Sequence, residues 1–430
     1  DGGKLTVKGS ANITAKNGGV GIYIKENLPT LEGTKIILEN GTSAKYSTGI
    51  YYDGISTSKL SIPNIEQKGN FTIGALFNNS TATVGGIDLK KEWQNQVGIL
   101  AKGNSYLTVE EKINVAGDKN IGIYGNDSSI NLKKDIEVKN SSESADKSKS
   151  SIAVYLRNGK YEGNGAINIG DNSIGIYGEE ILSLNHTGSN MKIGDNALGI
   201  YETGKDGNSK MNVKIDNIVV GNNNALGIYG KDIDIVVNGK INIAAGKSVG
   251  VISSGKGDIS YTGNLSISDK GDKEGSIGIY KVQGKGVITS SAGNWTIGNG
   301  GYGIYVQQAK DGVMSENKAT VNNNANIELR NSAVGIFSNG QNTVKNSGDI
   351  KIESSVNTNY DNTVGIYLAG GSNGENTSIG NIIVKCDRAI GVLVNGKNTS
   401  FENKGKIEID NGGIGIIVEN RGSATNSGEI

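Results

Sequence analysis

The stretch Ala166-Ile167-Asn168-Ile169-Gly170-Asp171-Asn172-Ser173-Ile174-Gly175-Ile176-Tyr177 decides the fold. Ile167, Asn168 and Ile169 alternate apolar and polar, the period-2 pattern of a strand with one buried face. Gly170-Asp171-Asn172-Ser173 is a turn cluster, because glycine takes positive φ freely while Asp, Asn and Ser bond their own backbone. Ile174-Gly175-Ile176-Tyr177 then reads as a second strand. The same grammar stands before Ile121, as Lys112-Ile113-Asn114-Val115, and before Ile414, as Lys406-Ile407-Glu408-Ile409. A third, weaker strand follows the motif, as in Ser129-Ile130-Asn131-Leu132 and Thr343-Val344-Lys345-Asn346.

The tetrapeptide recurs along the chain, from Val20-Gly21-Ile22-Tyr23 through Leu226-Gly227-Ile228-Tyr229 to Ile414-Gly415-Ile416-Ile417. Sixteen copies between Gly21 and Gly415, looser ones included, set a mean period of about 26 residues, within the range of repeat architectures. Three short strands and three corners in that length describe one rung of a right-handed parallel β-helix, an all-β solenoid. Sixteen such coils would stack into a rod roughly 75–80 Å long. Helical repeats fail because 3.6-residue spacing is nowhere sustained and glycine saturates the segments. A propeller blade would need about 40 residues, and the Leu/Asn consensus of leucine-rich repeats is missing.

Composition agrees. Hydrophobic residues make up 35% and aromatic residues 5% of the 430, too little for one large core but enough for a thin one renewed at every coil. Only two prolines occur, as expected where nearly every residue lies in a sheet and the ladder needs its N–H donors. Forty-three basic and 43 acidic residues leave no net field to attract nucleic acid. The single cysteine, Cys386, excludes disulfide stapling and cysteine-based zinc sites, and reads as a small buried residue. Asn426-Ser427-Gly428-Glu429-Ile430 echoes Asn346-Ser347-Gly348-Asp349-Ile350, which leads into a further coil. Residues 1–430 are therefore expected to be one β-helix segment excised from a longer chain, with both ends cut within a repeat.

Strict alternation assigns faces within the motif. If Ile174 and Ile176 point inward, Gly175 and Tyr177 point outward, the glycine leaving room for the ring. Ile176, Ile200 and Ile228 then belong to a core column, and Tyr177, Tyr201 and Tyr229 to an outer aromatic ladder that braces neighbouring coils.

Catalytic chemistry finds little support. His186 is the only histidine and reads as a solvated loop residue, so no histidine-based catalytic or metal site can be assembled, and no cofactor is expected. Carboxylates are scattered, and the G-G-x-G-x-D calcium repeat is absent. Binding is expected instead where polar insertions lengthen the repeat: 141–150, 202–210, 268–275, 307–318, 354–363 and 369–377. Two of these supply the candidate binding residues: Gln307, Gln308, Lys310, Met314 and Lys318 in one, and Asn357, Tyr360 and Asp361 in the other.

Tandem G-x-N/S-x-G-I-Y phrases in a Lys/Asn/Ile-rich, Pro-poor chain resemble the passenger domains of large type V autotransporter adhesins of fusobacteria. The resemblance covers nearly the whole chain and rests on scaffold residues. It implies an extracellular, non-enzymatic rod displayed on the bacterial surface, with its parent chain anchored by an outer-membrane β-barrel. Its partner would be a host-cell receptor, or a protein or glycan on another bacterium. The segment is expected to be monomeric. The alternatives are a passive spacer that carries a binding tip located elsewhere, and a polysaccharide-degrading β-helix enzyme, which shares the fold.

Overall fold

The computed structural model describes residues 6–7, 10–25, 30–31, 34–59, 65–142, 149–205, 209–244, 246–268, 275–298, 300–308, 318–354 and 363–430. The described elements are β-strands that stack in parallel as a β-solenoid of about fourteen turns. Most turns carry a motif strand, a middle strand and a closing strand, and in some the middle strand runs on into a neighbour, as in Thr72–Val84 and Ser183–Ile193. The chain divides into two compact units, Asp1–Ser209 and Lys210–Ile430.

Within the first unit, motif strand Ile121–Asn126 pairs with Ile152–Arg157 in the register Ile123↔Val154 and Tyr124↔Tyr155. Middle strands follow suit, with Leu107↔Ile130, and so do closing strands, with Ile113↔Ile136. The second unit repeats the scheme, with Ile366↔Val392, Asn376↔Asn403 and Ile382↔Ile407. All sixteen motif copies stand as strands, slightly more than the number of turns. The copy at Val20 is followed by a middle strand of only two residues, Thr30–Leu31, and the last copy has no closing strand among the described residues.

Two of the four motif positions face as alternation predicts, and two do not. The third position lies in the core, where Ile123, Ile176, Ile200, Ile228 and Ile366 are buried. The fourth, usually tyrosine, lies half-buried on the outer face. The first position is also on the outer face: Val20 is 49% exposed where Ile22 is 5%. In the second unit Val334, Val364 and Ile390 form an outer cluster against Phe337, Tyr367 and Leu393.

The glycine is the residue that turns inward. A Cβ at Gly175 would stand 2.5 Å from the Gly199 carbonyl oxygen and 2.7 Å from Ile169 Cδ1, and Ile169 is a core residue. The collision recurs at other copies of the motif: 2.5 Å at Gly122 against Ala153 O, 2.6 Å at Gly335 against Gly365 O, and 2.5 Å at Gly365 against Gly391 O. Two consecutive inward positions break the pleat, and the ladder accordingly steps from Ile174↔Leu198 to Ile176↔Ile200 without a glycine pair. The glycine therefore lets the backbones of successive turns approach, and does not make room for a ring.

Polar ladders share the interior with the aliphatic columns. In the second unit Asn323 Nδ2 donates to Asn346 Oδ1 at 2.8 Å, Asn346 to Asn376 at 2.9 Å, Asn376 to Asn403 at 2.8 Å and Asn403 to Asn426 at 2.7 Å. The same amides also donate to carbonyls of their own turns, such as Gly348 O at 2.9 Å and Gly380 O at 3.0 Å. Asparagine suits this place because one amide supplies both donors and an acceptor.

Candidate functional site

The closing-strand ladder parts in the first unit. Asn12–Ala15, Lys35–Leu38 and Ile65–Gln67 form a three-stranded sheet of their own, while Ile87–Leu89 pairs onward with Ile113–Val115. The cause is local. Gln67 sits in register with Leu38, at the inward position that Leu89, Val115 and Val138 fill in later closing strands. An amide in that column must find partners, and Gln67 Nε2 donates to Thr72 Oγ1 at 2.9 Å and to Val97 O at 3.1 Å. The backbone changes as well. The oxygens of Leu38, Leu89 and Val115 accept the N–H of Lys68, Ala116 and Lys139 from the following turn. Gln67 O instead accepts the side-chain amide of Gln96 at 3.0 Å.

An open cleft of about 1050 Å³ results. Gly74, Gly98, Ile65, Ile87 and Ile99 contribute its apolar surface, and Gln67, Asn114 and the half-buried indole of Trp93 its remaining uncharged surface. Four lysines (Lys35, Lys68, Lys90, Lys112) and four carboxylates (Glu66, Asp88, Glu92, Glu111) line it as well, with Gly85 and Gly86. Most of these charges are matched. Glu66 pairs with Lys35 at 2.6 Å and Lys68 at 2.8 Å, and these hydrogen bonds, Lys35 first, hold its carboxyl below the usual range. Asp88 pairs with Lys90, and Lys112 with Glu137. Asn114 Oδ1 is buried without a hydrogen-bond partner.

Of the three expected binding residues that the structure describes, Gln307, Gln308 and Lys318, two are engaged within the solenoid. Gln307 closes motif strand Tyr302–Gln307, and its Oε1 accepts the hydroxyls of Tyr280 and Tyr305, each at 3.4 Å. Gln308 is not a loop contact: it is 7% exposed, and its Nε2 donates inside the solenoid to Gly284 O and Asn342 Oδ1, each at 3.1 Å. Its side chain continues the buried polar ladder past the end of the strand. Lys318 is exposed. Lys310, Met314, Asn357, Tyr360 and Asp361 lie outside the described residues. The segment 369–377 is not an insertion loop. Gly370 and Gly371, both at positive φ, make a tight turn into strand Asn373–Asn376, whose Asn376 belongs to the asparagine ladder.

The aromatic ladder is engaged with itself. Tyr124, Tyr155, Tyr177 and Tyr201 stack at successive centroid distances of 5.0, 5.3 and 4.7 Å, with interplanar angles of 5°, 18° and 5°. Their faces meet one another, so the column presents ring edges rather than open faces. Burial beside Glu179 pushes the Tyr155 hydroxyl well above its ordinary range. In the second unit Tyr229 is half-buried in motif strand Leu226–Lys231.

His186 is not solvated. It is 1% exposed in strand Ser183–Ile193, where alternation with buried Leu184 turns it inward. The Tyr161 hydroxyl lies 3.1 Å from His186 Nδ1, and His186 Nε2 lies 3.2 Å from Gly165 O. A carbonyl only accepts, so Nε2 carries the proton and Nδ1 accepts from the tyrosine. The space comes from Gly163, where a Cβ would stand 2.7 Å from Nδ1. Desolvation lowers the imidazole pKa to about 4, against the opposing bond to Gly165. Glu202 is 1% exposed, both its carboxylate oxygens are without partners, and burial raises its pKa well above the ordinary value. In the second unit Lys281 is likewise buried, its Nζ donating to Ser253 Oγ at 2.9 Å, Gly255 O at 2.9 Å and Gly257 O at 2.7 Å. Desolvation lowers its pKa to about 8, opposed by Asp258, Asp232 and Asp234. These groups are sealed from substrate. Among the described residues no group of three His, Cys, Asp or Glu is placed to hold a metal ion.

The repeat pattern does not reveal the cleft, although the sequence carries two signals for it: Gln67 in an apolar column, and Trp93, one of only two tryptophans. No family model matches the chain, and no curated protein or solved structure is significantly similar to it.

Proposed function

We propose that this chain is a segment of a bacterial cell-surface adhesin, a non-enzymatic solenoid that binds a protein or glycan on a host cell or partner bacterium. The observation that supports the reading best is the contrast between scaffold and cleft. Most turns are closed by buried ladders, whereas the Gln67 rung gives up its ladder bond and opens a polar, solvent-facing hollow. Binding surfaces belong where a repeat is interrupted, since a rung kept in every turn serves the stack. On this reading the segment is displayed outside the cell, and its parent chain carries an outer-membrane barrel. Purified chain should bind whole host cells or partner bacteria saturably, and Trp93→Ala should weaken that binding at least tenfold while the circular dichroism spectrum stays unchanged. Absence of saturable binding to either cell type, or depolymerisation of a polysaccharide by the purified chain, would overturn the proposal.

A further inference from the structure

We infer that the cleft beside Ile65–Gln67 takes a short neutral oligosaccharide, with Trp93 as the surface on which a sugar ring stacks. This names the ligand class for the adhesive site proposed above and rests on that reading. Four observations carry it. The cleft, at about 1050 Å³, is slightly larger than the ~300–1,000 Å³ typical of small-molecule sites, so it has room for more than one sugar ring. Its four lysines and four carboxylates cancel, and Lys35, Lys68, Lys90 and Lys112 already have carboxylate partners. An anionic ligand would have to break those pairs, whereas uncharged hydroxyls can join them. Trp93 offers an apolar body beside polar groups, which matches a pyranose with its C–H face and hydroxyl edge. Asn114 also lines the cleft, and a side-chain amide, with two donors and an acceptor, suits ligand hydroxyls.

The interrupted ladder also suggests an extended peptide added as a strand, but the geometry disfavours it. Such a strand would donate first to Gln67 O, and Gln96 already occupies that oxygen.

The test titrates the full chain with lactose, cellotriose, maltotriose and tri-N-acetylchitotriose, following tryptophan emission and binding heat. Trigalacturonate serves as the anionic control, and acetyl-Ile-Asp-Leu-amide, which copies Ile87–Leu89, as the strand control. Trp295 is 1% exposed, so Trp93 supplies the solvent-sensitive signal. At least one neutral sugar should bind saturably and at least tenfold more tightly than trigalacturonate. Trp93→Ala and Asn114→Leu should each weaken that binding about tenfold or more without changing the circular dichroism spectrum. Preference for trigalacturonate or the peptide, or sugar binding that Trp93→Ala leaves intact, overturns the inference. If no sugar binds while cell binding still depends on Trp93, the ligand class falls and the adhesive site stands. If neither is seen, both fall.

Discussion

At the scale of single residues, the chain is controlled by positions where a side chain is missing or out of place. The motif glycine faces the core, and the carbonyl of the next turn occupies the space its Cβ would need. At Gly122 the obstacle is Ala153 O, which is backbone and cannot swing away. Gly122→Val should therefore destabilise the first unit by about 1–3 kcal/mol, read as a lower denaturation midpoint. A midpoint unchanged in the variant would show that the turns can spread at no cost.

The sealed polar groups give a pH dependence of two signs. His186 has a folded pKa of about 4, below its ordinary 6.5, so the unfolded chain binds the extra proton between these values. Its contribution is complete above about pH 6.5 and is lost as pH falls towards 4, an effect of about 3 kcal/mol. Glu202 behaves oppositely: its folded pKa is raised, so its contribution is complete below the ordinary 4.5 and is lost as pH rises through the folded value. Glu202→Gln should remove the alkaline loss and leave the acid loss, as measured by thermal unfolding from pH 4 to 9. An unchanged alkaline limb would place the carboxyl in water.

At the scale of elements, the asparagine ladder shows how polar side chains replace an apolar column. Asn346 accepts from Asn323 and donates to Asn376 and Gly348. Asn346→Ala strands all three partners in a dry interior and should cost about 1–3 kcal/mol. Asn346→Ala together with Asn376→Ala should cost less than the sum of the two single variants, because the two residues share one bond. An additive result would mean that these amides act independently.

The elements were legible to different depths. The alternation at Ile167–Ile169 and the turn at Gly170–Ser173 announced strand and corner, and both stand. The faces of Ile174 and Gly175 were not legible, because a period-2 rule cannot register two successive inward residues, and only the neighbouring turn's carbonyl reveals them. His186 was misread for a related reason: Thr187-Gly188 looks like a loop, yet Leu184-Asn185-His186 already carried the strand alternation. The cleft depends on the pairing of turns some two dozen residues apart, which a local reading of Gln67 does not reach.

At the scale of the molecule, insertions and ladders make separate contributions. In the sequence, residues 309–317 stand between strands Tyr302–Gln307 and Ala319–Asn323, and residues 355–362 between Asp349–Ser354 and Val364–Ala369; the test replaces each with a short Gly-Asn link. Loop length costs little once the ends are anchored, so either replacement should leave the unfolding free energy within about 1 kcal/mol. Cell binding should also persist in both variants if the cleft carries adhesion. Loss of binding on either replacement would move the adhesive surface to that loop.

A solenoid built of similar turns can mispair by one whole turn and keep its glycine, aliphatic and tyrosine columns in line. A slip of one residue is self-correcting because it reverses the faces, but a slip of one turn is not. The buried exceptions break this degeneracy. Glu202 lies in register with Gly178, where a Cβ would come within 3.1 Å of its Cγ, whereas the turn before offers Leu156 at that place. Lys281 needs the three acceptors that Ser253, Gly255 and Gly257 supply from the preceding turn. Costly as lone residues, these groups serve as addresses: they let one turn be told from the next while the chain winds up.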